Sequence, residues 1–185
     1  MENLEGRRVA ILATNGFEQV ELLDPRRALE DAGARVDVIS PEEGSIRAWN
    51  KDDWGESVDV DVRLTDANAE DYDALMLPGG VMNPDKLRLE QRAVAFVRAF
   101  FDAGKPVAAI CHAPWMLGEA DVVEGRRLTS YPSLRRDLEN AGADWVDEEV
   151  VVDQGLVTSR KPDDLPAFNR KMVEEIAEGA HAMQA

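Results

Sequence analysis

Only one cysteine and two histidines occur in the 185 residues. A lone cysteine excludes an internal disulfide, and so few thiols and imidazoles cannot assemble a zinc-type ligand cluster, so neither a structural metal nor a cofactor is expected. Positive charge is also scarce: 21 Lys and Arg face 37 Asp and Glu, a formal net charge of −16. Arginine pairs such as Arg7-Arg8, Arg26-Arg27 and Arg135-Arg136 are too short to form a basic stripe. Nucleic acid and anionic membrane surfaces are therefore disfavoured as partners. No apolar run is long enough to span a bilayer, and the N-terminus lacks a charged segment followed by an apolar one. A soluble, cytoplasmic protein is expected. With no linker or low-complexity stretch, residues 1–185 read as one domain.

What is present is an alternation of strand-like and helix-like segments. Arg8 to Ala13 reads as a buried strand, Phe17 to Ala32 as a helix stopped by Gly33, and Arg35 to Ser40 as a second strand. Residues 41–72 break the rhythm with a period-two stretch, Val58 to Leu64, expected to form an antiparallel excursion. Ala74 to Leu77 is a strand ending in Pro78-Gly79-Gly80, and Glu90 to Ala103 an amphipathic helix. Val107 to Ile110 forms another strand, and Ala113 to Glu119 begins a helix. A short strand near Arg127 to Thr129 and a helix from Ser133 to Asn140 follow. A hairpin pairs Glu149 to Val152 with Leu156 to Ser159 around Gln154-Gly155, and the last helix has Asp163 or Asp164 as its cap and Pro166 in its first turn. The fold class is α/β: a mainly parallel sheet with helices on both faces. Leu87, Phe96, Trp49, Trp54 and Trp115 are assigned to the core in preference to an interface. His181 reads as exposed and without function.

Cys111 sits where a strand turns sharply into a helix, a position that lifts a nucleophile out of a sheet and favours a thiolate. The competing reading is a small core residue beside an incidental His112. Two other segments open at the same edge of the expected sheet: Asn15 to Glu21 after the first strand, and Pro78-Gly79-Gly80. Glu18 and Glu21 are three apart, so on a helix they share a face, and either can hydrogen-bond the sulfur or relay its proton. They also suit a helix N-terminus with no further role. Gly79 and Gly80 allow backbone N–H groups to approach a substrate and, with the N–H of His112, to hold an oxyanion. A plain turn accounts for them equally well.

Glu18 within Gly-Phe-Glu-Gln-Val-Glu-Leu, Leu77-Pro78-Gly79-Gly80, Pro106 to Pro114 around Cys111-His112, and Thr129-Ser130-Tyr131-Pro132 together resemble the PfpI branch of the ThiJ/PfpI superfamily. The resemblance continues through Asn140 to Asp147 and Val150 to Asp153 to Thr158-Ser159-Arg160. It implies a flavodoxin-like three-layer sandwich with Cys111 as nucleophile on an elbow and His112 as the adjoining histidine. It also implies an intracellular cysteine peptidase, or a glyoxalase or deglycase acting on methylglyoxal and its adducts in stress responses. Homodimers, assembling further into hexamers, are implied, with a carboxylate from a neighbouring subunit completing the cysteine and histidine. That acid falls at Asp85, where the pattern carries glutamate and where Val81-Met82-Asn83 lengthens the approach to Pro84 by one residue. Ala113 replaces a glycine common in close relatives. The helix acid corresponds to Glu18 or Glu21, with Glu18 preferred.

The expected function is a cysteine hydrolase in which Cys111 attacks a carbonyl of a peptide or small carbonyl substrate, His112 transfers protons, and the Gly80 and His112 amides hold the oxyanion. The alternatives are a redox-sensing or protein-protecting stress factor that uses oxidation of Cys111, and a domain with an inert cysteine.

Overall fold

A computed structural model describes residues 2–180; His181 lies outside them. The elements in chain order are β1 (Arg8–Leu12), β2 (Phe17–Glu18), α1 (Gln19–Asp31), β3 (Arg35–Ser40), β4 (Ser45–Asn50), β5 (Asp53–Asp59), β6 (Val62–Arg63), β7 (Ala74–Leu77), α2 (Met82–Leu87) and α3 (Gln91–Asp102). Then come β8 (Val107–Ile110), α4 (Pro114–Glu119), β9 (Arg127–Leu128), α5 (Arg135–Asn140), β10 (Asp144–Trp145), β11 (Val151–Asp153), β12 (Leu156–Ser159) and α6 (Leu165–Glu178).

Seven strands form the central sheet in the order β11-β12-β8-β7-β1-β3-β6. All neighbours are parallel except β11, which returns antiparallel to β12. β7 and β8 are apolar at every position and β1 at all but its first, because helices cover both faces, and the side chains of the sheet divide by parity. Val9, Ile11, Val38, Met76, Ala108, Ile110 and Val157 pack with Leu22 and Leu29 of α1 and Phe168, Met172 and Ile176 of α6. Ala10, Leu12, Ile39, Leu75, Leu77, Val107, Ala109 and Leu156 face the other way, onto Phe96, Val97, Phe100 and Phe101 of α3, Leu117 of α4 and Leu138 of α5. Each buried aromatic or aliphatic side chain contributes on the order of 1.5–3 kcal/mol, so the two apolar layers dominate stability. The expected three-layer α/β sandwich is the observed fold.

Local departures have local causes. The helix expected from Phe17 begins at Gln19, because Phe17 and Glu18 pair with Ala48 and Trp49 of β4. The Val58–Leu64 alternation is split: β5 ends at Asp59, the Asp61 N–H is drawn onto the Val38 carbonyl, and β6 joins the main sheet instead. A 3-10 turn, Pro132–Leu134, precedes α5. Asp164 does occupy the position before α6, but its carboxylate accepts from the Arg160 backbone N–H and guanidinium rather than from the helix. Gln154 and Gly155 both have positive φ, 50° and 84°, the conformation a tight two-residue hairpin demands.

Leu87 and Phe96 are core residues as expected. Trp54 is not: 40% exposed, it meets Trp49 edge-on on the β4–β5 hairpin and takes the Arg47 guanidinium on its face. Trp49 is half-buried at the site described next, and Trp115 is half-buried beside His112. No helix among the described residues is long and apolar enough to cross a membrane.

Candidate active site

Strands β8, β7 and β1 lie side by side, and the three loops leaving their carboxyl ends meet over the sheet edge. Cys111 follows β8 with φ 63°, a left-handed conformation that costs a non-glycine residue on the order of 1 kcal/mol. Neighbours hold it there: its N–H donates to the Ser159 carbonyl, 3.0 Å, and its own carbonyl accepts from the Tyr131 N–H, 2.8 Å. The Ala113 N–H turns back to the Ile110 carbonyl, which closes the elbow. The side chain is 7% exposed and opens into a cavity of about 390 Å³ lined by Glu18, Glu21, Trp49, Lys51, Met82 and Tyr131, among others. A larger cavity, about 540 Å³ between α1 and α6, contains no nucleophile and lies away from this edge.

His112 reaches its own Cys111, with Nδ1 3.1 Å from Sγ. Nε2 lies 3.5 Å from the Ser133 hydroxyl, and the ring stacks on Tyr131 with centroids 4.7 Å apart. Burial lowers the His112 pKa, so the imidazole is neutral at rest and can accept the thiol proton.

Glu21, fully buried, is the acid turned onto the sulfur. Its carboxyl approaches the Gly79 and Gly80 amides and the Cys111 thiol, although none of these contacts has ideal hydrogen-bond geometry. Desolvation, and then the charge of Glu18, raise its pKa to about 8. Below that pH Glu21 carries a proton it can donate. Glu18 corrects the preferred assignment: it lies just before α1 with extended backbone, φ −66° and ψ 122°, so it shares no helical face with Glu21. Its Oε2 accepts the Lys51 N–H at 3.0 Å instead.

The expectation of a thiol acidified by its helix is also corrected. Burial pushes the Cys111 pKa well up and the Glu21 charge adds to it, while the neighbouring Gly80 and His112 N–H groups oppose the rise. Desolvation wins because α4 has only six residues and the thiol is almost closed off. The Glu21 carboxyl and Cys111 thiol therefore titrate as a pair: with Glu21 protonated its repulsion disappears and its O–H can face the sulfur.

The glycines are required sterically. A Cβ on Gly79 would lie 2.5 Å from Glu21 Oε1 and 2.7 Å from both Cys111 Cβ and the Ile110 carbonyl. One on Gly80, at φ +83°, would meet the Glu18 nitrogen and Gly16 carbonyl at 2.7 Å. Only glycine lets the Pro-Gly-Gly backbone lie against the elbow.

The loop is tied down by Asn83, whose role the sequence did not reveal. Buried at the start of α2, it accepts the Thr14 N–H at 2.7 Å and donates to the Pro78 and Gly79 carbonyls at 2.9 and 3.2 Å. It thereby joins the exits of β1 and β7. Asp85, two residues on, is exposed and outside the cavity lining. Within the chain it is not brought to His112.

A match to the DJ-1/PfpI family model covers residues 7–175. The chain belongs to the DJ-1/PfpI family. Among curated relatives of this DJ-1/PfpI protein, General stress protein 18 of Bacillus subtilis is 48% identical over 90% of this chain and 95% of its own. A second Bacillus subtilis protein, provisionally named a cysteine protease, is 46% identical over 89% and 95%. A deglycase of Pyrococcus horikoshii is 46% identical over 90% and 98%. A crystal structure from Anabaena variabilis, of a protein with DJ-1/ThiJ/PfpI-like and ferritin-like domains, superposes with TM-score 0.86 at 37% identity. That match covers 92% of this chain and 48% of the other. Among the described residues no group of three or more His, Cys, Asp or Glu could hold a metal ion.

Proposed function

We propose that this DJ-1/PfpI protein is a cysteine-dependent hydrolase of the cytoplasm, serving a stress response, with Cys111 as nucleophile. The observation that carries the reading is the convergence on one sulfur of a neutral imidazole nitrogen at 3.1 Å, two backbone N–H groups and a protonatable carboxyl. Sγ adds to a carbonyl carbon as its proton passes to His112 Nδ1, and the new oxyanion is held by the Gly80 and His112 amides. From a peptide the amine leaves with the proton from His112, and water cleaves the thioester. From a 2-oxoaldehyde the hemithioacetal loses its C1 proton and gains one at C2, giving a thioester that water cleaves to a 2-hydroxy acid. A cavity of about 390 Å³ over a cysteine 7% exposed favours small carbonyl compounds and their adducts over long peptides. The names of the relatives, a stress protein, a provisional protease and a deglycase, accord with this chemistry.

The active form is proposed to be a homodimer or hexamer in which Asp85 of a second copy serves His112, since no carboxylate among the described residues hydrogen-bonds the imidazole. A second reading, oxidation of Cys111 as a redox signal, draws on the Glu21 proton and the two amides, which suit an oxidised sulfur. Wild type and Cys111→Ala are to be compared on methylglyoxal and on small peptides, with mass spectrometry of Cys111 after mild peroxide. Turnover lost with Cys111→Ala supports the hydrolase. Equal turnover by the two proteins refutes it, and selective oxidation without turnover favours the redox reading.

A further inference from the structure

His112 is enclosed by two aromatic rings that none of the chemistry above uses. Tyr131 stacks on the imidazole at 4.7 Å with 20° between planes, and Trp115 meets it edge-on at 5.3 Å and 64°. Trp115 is held through its ring and Tyr131 through its backbone. The Tyr131 N–H is bonded to the Cys111 carbonyl, and the Tyr131 carbonyl accepts from the Ser130 hydroxyl, itself the acceptor of the Trp145 indole N–H. Trp115 Nε1 donates to Asp137 at 3.1 Å, and the Arg88 guanidinium, paired with Glu119 at 3.1 Å, covers the indole face at 5.5 Å. So much fixing is more than an incidental contact needs.

We propose that Trp115 and Tyr131 are positioning residues for His112: the two rings keep Nδ1 on the Cys111 sulfur and stabilise the imidazolium formed when the thiol proton arrives. The proposal rests on the reading of His112 as the proton acceptor. Its physical basis is twofold. The stack fixes the plane of the ring, and within that plane the contacts of Nδ1 with Sγ and of Nε2 with Ser133 set its flip. A cation against an aromatic ring is attracted by its quadrupole, and here the imidazole is buried while Tyr131 is 41% exposed, so its outer side meets solvent. The charges around the imidazole are those of Cys111, Glu18, Glu21 and Lys51 at the cavity, and of Arg88, Glu119 and Asp137 beyond Trp115. Leucine removes the π-system without deleting any of these charged groups, although both Trp115 variants also remove the indole N–H that Asp137 accepts.

The test uses the assembled protein carrying Tyr131→Phe, Tyr131→Leu, Trp115→Phe or Trp115→Leu, each checked by thermal melting. The His112 titration is read by NMR of ¹³C-histidine-labelled protein, with His181→Ala to assign the second signal, and Cys111 alkylation by iodoacetamide is followed against pH. The leucine variants are expected to titrate at lower pH by about half a unit to one unit and to alkylate about three- to thirtyfold more slowly near neutrality. The phenylalanine variants should stay within about twofold of wild type. An unchanged His112 titration in the leucine variants overturns the proposal, whatever happens to rate, and so does an equal loss in the phenylalanine variants. Neither readout requires turnover, so failure here is distinct from failure of the hydrolase reading with Cys111→Ala.

Discussion

Glu21 and Cys111 share one buried pocket, and ionising either raises the cost of ionising the other. The arrangement keeps the resting site free of net charge: a protonated carboxyl, a thiol and a neutral imidazole. In the proposed hydrolysis, charge develops where amides and a histidine already face the sulfur, which lowers reorganisation during reaction.

Stability should record the Glu21 proton. Its pKa is about 8 folded against 4.5 for the unperturbed side chain, so the folded state binds the proton more tightly. The contribution is complete below about pH 4.5, declines as pH rises and is gone above about pH 8. Glu21→Gln should flatten this slope and, in urea melts at pH 5, 7 and 8.5, exceed wild type at the highest pH by a few kcal/mol. Parallel pH profiles for the two proteins would contradict the assignment.

Thiol reactivity should shift in the same variant. Removing the Glu21 charge takes away the second-largest cause of the raised Cys111 pKa, and a glutamine N–H can still face the sulfur. The pH midpoint of iodoacetamide alkylation should fall by about one unit or more in Glu21→Gln. Glu18→Gln, whose carboxylate bonds Lys51, should move it less.

The close approach at Gly79 gives a steric prediction. The added methyl of Gly79→Ala meets the Ile110 carbonyl and Cys111 Cβ as well as the movable Glu21. The expected cost is about 1–3 kcal/mol in denaturant melts, with turnover falling at least tenfold because the amides and elbow are forced apart. A variant as active and stable as wild type would show that the loop is not held against Cys111.

Asn83 anchors the same loop from the other side. Asn83→Ala leaves the Thr14 N–H and two carbonyls without their partner, at about 2–4 kcal/mol. Asn83→Asp keeps the acceptor for Thr14 but turns a second oxygen toward the Pro78 and Gly79 carbonyls. It should therefore lower kcat with little change in KM, as expected if the Gly80 amide is displaced.

Mixed protomers would test the proposed partner acid. Asp85→Asn and Cys111→Ala should each be nearly inactive, and refolding them together should restore up to about a quarter of the sites in a dimer, those pairing an intact Cys111 with the partner's intact Asp85. No recovery on mixing would place the acid elsewhere.

Much of this molecule is readable from local pattern. Four-residue apolar runs bounded by Gly and Pro mark β7 and β8, and Gln154-Gly155 marks the hairpin, because strand burial and turn conformation depend on residues adjacent in the chain. The family motifs around Cys111 locate the elbow for the same reason. Three-residue spacing could not choose between Glu18 and Glu21, since the choice depends on β2 pairing with β4, a contact some thirty residues distant that delays the start of α1. Nor could sequence reveal Asn83 as the tie between two loops, or the rings around His112. Thiol acidity was misread because a helix N-terminus is visible in sequence, whereas desolvation is a property of the assembled pocket. The sequence by itself determined the sheet and the elbow that carries Cys111. Only tertiary structure decided which acid faces the sulfur and which proton it holds, because burial and charge proximity arise when distant segments meet.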